Sequence, residues 1–343
     1  MPPSLFRQPS VLIIEDEATQ RHMLQSQLTG QEYGVMVAAD GREGLAIWSK
    51  HPEIRLVITD LAMADLDGVE VVKAIRSREK SYTYLMVLTS VDDKEWLLRA
   101  LAAGADDFVH KPILREELNL RLQGAQRLLR LEDHYKLIGG LAELAAIRAG
   151  EESSRVYRLK RYCTLLADDL FRHHPELGLN RQIIEDLSNA SVLHDIGIMN
   201  IPDSLLNKRG KLTPRELEQI QQHAREGGKI LHKLYRESGS SYLLLAHQMA
   251  SGHHERWDGT GYPDKLRGNA IPLSARIVAL ADTYNVLRSR RPYKDAMPKE
   301  HTESVIVEEK GKHFDPMLVD SFLRVKEKMA EIHDQFRDLS ETW

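Results

Sequence analysis

The sequence is poor in cysteine, and this excludes two classes of site. Among its 343 residues, Cys163 is the only cysteine. A disulfide scaffold and a zinc site built from thiolates both need several cysteines, so neither can form within one chain. We expect Cys163 to be a buried helix residue, as free cysteines usually are.

Long apolar runs and a strong net charge are also absent. No run approaches the roughly 18 apolar residues that a membrane-spanning helix needs. The first ten residues, MPPSLFRQPS, lack the apolar core of a signal peptide. A formal net charge of −4 provides no overall basic field that would attract DNA or an anionic membrane. We therefore expect a cytoplasmic protein that has neither a membrane nor DNA as its partner.

The length of 343 residues suggests two domains, and the first 125 residues have a regular pattern. Short apolar runs end in polar residues: SVLIIED, GVMVAAD, IRLVITD, YLMVLTS and ADDFVHKP. Helical patterns lie between them, over residues 18–28, 41–50, 68–78 and 92–103. This alternation predicts an α/β doubly wound domain with five parallel strands. In such a sheet the site lies beyond the carboxyl ends of the strands.

Chemically active side chains fall at these strand ends. They are Glu15, Asp16, Asp60, Thr89 and Lys111. Three carboxylates suit Mg²⁺, which prefers oxygen ligands. Asp60 can then act as a nucleophile toward phosphorus. Lys111 would offset the added negative charge, and Thr89 would donate a hydrogen bond to a phosphoryl oxygen.

Two of these segments resemble the response-regulator receiver domain. TDLAMADLDGVE is similar to the family's phosphoacceptor loop, and ADDFVHKP to its lysine loop. The resemblance covers residues 8–125. It implies a flavodoxin-like fold and phosphorylation of Asp60 by a cognate histidine kinase. The implied Mg²⁺ ligands are Glu15, Asp16 and Asp60, and the implied switch residues are Thr89, Lys111 and Phe108.

Two positions depart from the receiver pattern. Glu15 stands where an aspartate is usual, and Ala64 where a proline is usual. The interpretation of Phe108 also has an alternative, because simple packing in the core would equally account for an aromatic residue there. We expect the carboxylate cluster to tolerate both departures, since glutamate also offers oxygen ligands.

A helical pattern continues beyond the receiver segment, from Arg115 to about residue 150. It predicts that the last receiver helix runs into a connector helix over residues 126–150. Gly139 and Gly140 predict a break or a close contact in it. Two alternatives remain open for the connector: it pairs with its copy in a homodimer, or it packs on its own chain.

The remainder, residues 151–343, is helical in pattern and contains a set of potential metal ligands. They are Glu152, His194, Asp195, His223, His253, His254 and Asp282. Mixed imidazole and carboxylate ligands suit Fe, Mn or Zn better than Mg or Ca. Seven ligands are too many for one ion, whereas two ions about 3.5–4 Å apart can clamp a phosphate. We expect Asp195 to bridge the ions, with His194 on one side and the other histidines opposite.

Five segments together resemble the HD-GYP family of cyclic-dinucleotide phosphodiesterases, over residues 151–322. They are LHDIGIMNIPD, QQHAREGGKIL, HHERWDGTGYP, ALADTYNVLRSRRPYK and GKHFDP. The resemblance implies an all-α HD-type domain with two divalent transition-metal ions, Fe or Mn, and cyclic di-GMP as the substrate. It implies His194 and Asp195 as catalytic residues, Tyr262, Arg291 and Lys294 as substrate contacts, and Gly261, Tyr262 and Pro263 as a signature loop. The signature loop is a candidate contact for a diguanylate cyclase. The assignment of Arg291 to the substrate is physically sensible, because a guanidinium suits the geometry of a phosphodiester.

Four positions depart from the HD-GYP pattern. Glu152 replaces the usual histidine, and glutamate can still bind a metal ion. Arg148 stands where members with three metals carry glutamate, which favours two ions here. Ile198 replaces a phosphate-facing lysine, and this loss should weaken stabilisation of the transition-state charge; the position also suits packing against the next helix. Asn285 replaces a frequent aspartate, and the sequence offers no account of that change.

These patterns predict a two-component response regulator whose phosphorylation controls hydrolysis of cyclic di-GMP to pGpG or GMP. A first alternative is a weak or inactive module that senses the dinucleotide or binds a protein. A second is an HD phosphohydrolase for another nucleotide. The complete ligand set favours the enzyme, and the absent lysine favours the sensor.

Overall fold

The structure is a computed structural model that describes residues 10–29, 33–90, 94–148, 154–208, 210–289 and 296–337. The chain divides into two compact units, Met1–Lys136 and Leu137–Trp343. Three residues of the predicted site, Glu152, Arg291 and Lys294, lie outside the described residues. Among the described helices, none combines the length and the apolar character that crossing a bilayer requires.

The first unit is built on a five-stranded sheet. Its strands are β1 Ser10–Ile14, β2 Gly34–Ala38, β3 Ile54–Asp60, β4 Tyr84–Thr89 and β5 Asp107–His110. Its helices are α1 Ala18–Thr29, α2 Gly41–Lys50, α3 Gly68–Arg78, α4 Lys94–Ala102 and the first part of α5 Arg115–Arg148. The strand order is β2-β1-β3-β4-β5, and every neighbouring pair is parallel. This confirms the predicted flavodoxin-like fold.

Successive side chains of each strand enter different cores. Leu12 and Ile14 of β1 pack with helices α2 to α4 on one face of the sheet. Val11 and Ile13 pack with α1 and α5 on the other face. Because both faces are covered, the strands appear in the sequence as continuous apolar runs and not as alternating ones.

Helix α5 is a single helix of 34 residues and continues from the receiver segment as predicted. It passes through Gly139 and Gly140 without interruption, and a Cβ added at either glycine would meet nothing within 4 Å. The predicted break or close contact at these glycines is therefore wrong. A glycine inside a helix costs about 1 kcal/mol relative to alanine, and this cost alone does not end a long helix.

The second unit is mostly helical, as predicted. After the end of α5 come α6 Ser154–His173, α7 Arg181–Ala190, α8 Asp203–Leu206, α9 Pro214–Ser238, α10 Ser241–Gly252, α11 Leu273–Arg288, α12 Lys299–Glu308 and α13 Pro316–Arg337. Short 3₁₀ turns occupy Pro175–Leu177, Ser191–Leu193, Ile196–Asn200 and Gly268–Ala270. The core includes Tyr162 and Cys163 of α6, Tyr284 of α11 and Phe322 of α13. Cys163 is fully buried in its helix, as expected.

Candidate receiver site and metal centre

The carboxylates at the ends of β1 and β3 lie together, because these strands are neighbours in the sheet. One oxygen of each of Glu15, Asp16 and Asp60 falls within 4.8 Å of the others. Lys111, which follows β5, donates to Glu15 Oε2 at 2.9 Å, and its Nζ lies 2.8 Å from Asp60 Oδ2. The cluster therefore combines oxygen ligands suited to Mg²⁺ with an ammonium beside the proposed acceptor.

The charges of this cluster depend on one another. Burial raises the pKa of Glu15, and the hydrogen bond from Lys111 offsets part of that rise. Burial opposes the charge of Lys111, but its hydrogen bonds to Asp60 and Glu15 outweigh burial and raise its pKa. The Lys111 ammonium therefore stays charged and holds the two carboxylates close together.

Three further residues of the first unit bear on this site. Gly68 begins α3 against the Asp60 backbone, where a Cβ would lie 2.3 Å from the Asp60 carbonyl oxygen. Thr89 is buried at the end of β4, and its hydroxyl donates to the Ser90 carbonyl at 3.1 Å. Phe108 is half-buried and packs against the sheet core. Both roles considered for Phe108, switch residue and core residue, remain compatible with this position.

In the second unit, a contact between two glycines positions the His–Asp pair. His194 and Asp195 lie between the 3₁₀ turns that follow α7. A Cβ at Gly197 would lie 2.0 Å from the His223 carbonyl oxygen and 2.7 Å from the Gly227 nitrogen. Because both positions lack a side chain, the turn approaches α9 closely enough for Asp195 to reach His223.

Asp195 is surrounded by imidazoles. Its Oδ1 lies 3.2 Å from His223 Nε2 and 3.3 Å from His253 Nε2. Its Oδ2 lies 3.3 Å from His194 Nε2. One ligand atom of each of Asp195, His223, His253 and His254 falls within 4.8 Å of the others. The carboxylate thus faces His194 with one oxygen and both His223 and His253 with the other.

The orientation of the rings fits metal binding. Each Nδ1 faces a backbone carbonyl: His194 to Ser191 at 2.9 Å, His223 to Ile220 at 2.7 Å and His253 to Met249 at 3.0 Å. A ring that donates from Nδ1 presents the lone pair of Nε2, as metal-binding histidines do. Within the described residues, His194 Nε2 and Asp195 Oδ1 are buried without a hydrogen-bond partner. Facing acceptors repel unless a cation lies between them, so this ligand set fits divalent ions.

The pKa values of the proposed ligands shift in both directions. Burial lowers the pKa of His253, and burial together with the neighbouring His253 holds the pKa of His254 well below its usual range. Burial opposes the charge of Asp195, but the surrounding histidines outweigh it and hold the pKa of its carboxyl well below the usual range. Burial opposes the charge of His194 and His223, but Asp195 outweighs burial and raises the pKa of both rings. Metal ions bind neutral imidazoles and ionised carboxylates, so an ion that binds here would displace any proton on these two rings.

Asp282, on α11, closes the His194 side of the cluster. Its Oδ1 lies 3.7 Å from His194 Nε2, and the same oxygen accepts a hydrogen bond from Arg155 Nη2 at 2.6 Å. Burial opposes the charge of Asp282, but Arg155 and His194 outweigh burial and lower its pKa. Glu152, the other ligand predicted for this side, belongs to the residues that the structure does not describe.

The sequence analysis did not identify Arg155 as a residue of the site. The structure also explains why an asparagine, Asn285, replaces the frequent aspartate. Asn285 is fully buried; its Nδ2 donates to the Arg155 carbonyl at 2.9 Å, and its Oδ1 accepts from Arg158 Nε at 2.9 Å. An aspartate carboxylate has no hydrogen to donate to that carbonyl. The available signal was the matching spacing of three residues between Arg155 and Arg158 and between Asp282 and Asn285.

The signature loop packs onto the metal ligands. A Cβ at Gly261 would lie 2.4–2.6 Å from backbone atoms of residues 254–256, so the loop returns tightly on itself. The Tyr262 ring stacks on His254 with centroids 4.6 Å apart, and a cis peptide bond joins it to Pro263. Glu255 was missed by sequence reasoning: only 2% exposed, it accepts two loop N–H groups at 2.7 and 3.0 Å. The acidic residue directly after two histidines was the only signal.

Ile198 lines a cavity beside the cluster. His194, Asp195 and Arg155 line the same cavity, and alanines of α5 form another wall. Arg148, at the end of α5, donates to the Ile201 carbonyl at 2.9 Å and to Asp203 Oδ1 at 3.0 Å. The side chain at position 198 thus faces the space next to the proposed ligands, where the sequence places an apolar group.

Two known families match the chain: one described as response regulator receiver domain over residues 11–123, and one described as HD domain over residues 141–318. A "Probable cyclic di-GMP phosphodiesterase" of Vibrio cholerae is 33% identical, with 95% of this chain and 80% of that protein covered. A "Cyclic di-GMP phosphodiesterase" of Thermotoga maritima is 32% identical, with coverages of 96% and 94%. The "Cyclic di-GMP phosphodiesterase response regulator RpfG" of Xanthomonas campestris is 32% identical, with coverages of 96% and 91%. The chain therefore belongs to the response regulators in which a receiver domain is followed by an HD domain.

Proposed function

We propose that this protein is a response regulator whose HD domain hydrolyses cyclic di-GMP at a centre of two divalent metal ions. One observation carries the proposal: the Asp195 carboxylate lies between Nε2 atoms of three histidines, at 3.2–3.3 Å. Those atoms present lone pairs, and an HD domain binds divalent metal ions. The names of the relatives support cyclic di-GMP as the substrate.

The ligands divide into two groups that share Asp195. Asp195 Oδ1, His223, His253 and His254 would hold one ion, and Asp195 Oδ2, His194, Asp282 and Glu152 the other. Bound ions would supply Lewis acidity toward the phosphodiester and activate the attacking water. Asp195 holds the two groups together, and backbone carbonyls orient the rings. The mixture of imidazole and carboxylate suits iron, manganese or zinc, and the resemblance to the HD-GYP family favours iron or manganese; elemental analysis of the purified protein would identify the metal.

The substrate carries two phosphodiester charges, and the chain supplies basic groups for them. We assign Arg291 and Lys294 to the phosphates, because guanidinium and ammonium groups bind such anions well. We also assign Tyr262 to the substrate, and its stacking on His254, one of the proposed ligands, supports this assignment. The products would be pGpG and, after a second cleavage, GMP.

A product assay tests this proposal. Protein loaded with Mn²⁺ or Fe²⁺ is incubated with cyclic di-GMP, and the products are separated chromatographically. We expect pGpG from the wild type and none from Asp195→Ala, which should also lose both ions because both groups use this carboxylate. His223→Ala should mainly weaken one ion, which serves as a matched comparison.

Two results would contradict the proposal. Absence of product from the metal-loaded wild type would leave the sensor alternative, and cleavage of a different nucleotide would leave the general phosphohydrolase. A full metal complement in Asp195→Ala would show that this residue does not bridge the ions.

We further propose that a histidine kinase phosphorylates Asp60 and that Mg²⁺ binds at Glu15, Asp16 and Asp60. The contact of 2.8 Å between Lys111 Nζ and Asp60 Oδ2 supports this, since an ammonium there would offset the charge of a phosphoryl group. Thr89, at the end of the neighbouring strand, would then donate a hydrogen bond to a phosphoryl oxygen. Phe108 would act as the switch residue that responds to phosphorylation.

We also propose that the protein is a homodimer and that its signature loop binds a diguanylate cyclase. Leu137, Leu141 and Leu144 of α5 are exposed at 61%, 49% and 58%. Their spacing places them on one face of the helix, and exposed apolar stripes commonly mark contact surfaces. A pull-down with a purified diguanylate cyclase, comparing wild type with Tyr262→Ala, would test the second partner.

A further inference from the structure

The two ligand groups of the metal centre differ in their surroundings. On the His223 side, four ligand atoms already lie within 4.8 Å of one another. On the His194 side, the Asp282 oxygen nearest His194 Nε2 is Oδ1, at 3.7 Å. That oxygen accepts a hydrogen bond from Arg155 at 2.6 Å. A cation of the protein therefore lies on one of the proposed second-ion ligands.

Arg155 is held in this position. Arg155 is only 5% exposed, so its guanidinium has little access to solvent. Its backbone carbonyl accepts from Asn285 Nδ2 at 2.9 Å, which ties this turn of α6 to α11. Arg158, one turn further along α6, donates to the same asparagine. Arginine keeps its charge at any pH of interest, so the positive charge beside Asp282 is permanent.

A permanent positive charge affects the ions that Asp282 can bind. A guanidinium on a carboxylate oxygen occupies a lone pair that a metal ion would use. It also repels a divalent ion a few ångströms away, in an interior where charges are poorly screened. Among the described residues, the polar contacts of the histidines on the His223 side are with Asp195, with backbone carbonyls and with one another, and none of them involves an arginine or a lysine.

We infer that Arg155 makes the two metal sites unequal, so that the ions bind in order. The first ion enters the group of Asp195, His223, His253 and His254. The second binds more weakly, because it shares Asp282 with Arg155 or displaces the guanidinium from Oδ1. This inference rests on the proposed two-ion centre. It adds that the occupancy of the second site depends on the concentration of the metal ion.

The experiment is a titration of chelator-treated, full-length protein with Mn²⁺, followed by calorimetry and by the electron paramagnetic resonance signal of the bound ion. Wild type should bind two ions in separate steps. Arg155→Gln keeps a hydrogen-bond donor without the charge and should tighten the second step about tenfold, the order expected when a nearby like charge is removed. Its first step should stay unchanged. Arg155→Lys, which keeps the charge, should resemble the wild type.

Arg181→Gln provides a control, because Arg181 pairs with Asp168 at the surface of α6, away from the ligands; neither step should change. Equal affinities for the two ions in the wild type would overturn the inference, and this result needs no variant to fold. A second step that weakens in Arg155→Gln would also overturn it, and would make Arg155 a positioning residue for Asp282. Neither result would affect the proposed hydrolysis, which the product assay measures independently.

Discussion

The neighbours of Asp195 explain why the adjacent residues His194 and Asp195 form part of a candidate metal centre. The carboxylate lies within 3.2–3.3 Å of three imidazole nitrogens and is held there by the close contact of Gly197 with α9. Asn285 shows the same dependence on context. Its amide both accepts from Arg158 and donates to the Arg155 carbonyl, which a carboxylate cannot do.

The absent lysine at position 198 leads to a prediction at the scale of one residue. Ile198 lines the cavity that His194 and Asp195 also line. Loss of one preorganised donor typically costs about 10²–10³ in rate. We expect Ile198→Lys to raise kcat more than it lowers KM, because the added charge acts mainly on the transition state. Steady-state kinetics at saturating metal concentration would measure both constants.

Ile198→Met is the matched control, since it keeps an apolar side chain of similar size and should leave kcat unchanged. An unchanged rate in a folded, metal-loaded Ile198→Lys protein would contradict the prediction and assign the charge to Arg291, Lys294 or another group. A thermal melt belongs with the kinetics, because burying an unpaired lysine is costly. Strong destabilisation would show that Ile198 serves as a core residue.

At the scale of the element, α5 has two different faces in its last turns. Ala142 and Ala145 are buried, each with 3% exposure. Leu137, Leu141 and Leu144 point away from that core and are exposed. Alanine suits the buried face because α5 lies close to the cavity beside the metal cluster. Exposure of these leucine side chains to water is unfavourable, and a second copy of the helix would bury them.

This arrangement predicts the oligomeric state. We expect the wild type to sediment as a dimer and the double variant Leu141→Glu, Leu144→Glu to sediment as a monomer, because charges on a covered apolar face are costly. Leu217→Glu is the control, since Leu217 of α9 is exposed to a similar degree, at 47%, and lies outside the stripe. A monomeric wild type, or a dimer that survives the double substitution, would refute the role of α5.

At the scale of the whole molecule, two units with different chemistry share one chain. The first brings Glu15, Asp16 and Asp60 together with Lys111, and the second brings imidazoles around Asp195. The family joins a receiver domain to an HD domain in this order. We therefore expect the state of Asp60 to change the rate at the metal centre.

The corresponding prediction uses beryllofluoride, a mimic of the phosphoryl group. It should change the rate of cyclic di-GMP hydrolysis by the wild type and leave Asp60→Asn unaffected, because the mimic needs the Asp60 carboxylate and Mg²⁺. Asp65→Asn is the control: Asp65 lies in the same loop, is exposed and pairs with Arg42, so its variant should respond as the wild type does. An equal response in Asp60→Asn would disprove control through this residue.

Much of the fold could be predicted from local pattern. Apolar runs with polar ends predicted the five strands, and the structure has them, with α2 and α3 at the predicted bounds. The helix α5 was also predicted, but not its passage through Gly139 and Gly140. Glycine marks a break only if a neighbour or a turn requires it, and a Cβ added at either of these two would meet nothing within 4 Å. Local pattern carries no information about such neighbours.

The candidate site divides in the same way. The sequence by itself determined the ligand types, because histidine, aspartate and their spacing on helices are chemical facts of the chain. Only the tertiary structure decided which oxygen of Asp195 faces which histidine, that Arg155 bonds Asp282 from 127 positions away, and why Asn285 is an asparagine. These contacts arise when α6 packs against α11, and residues so far apart in the chain leave no periodic signal of their pairing.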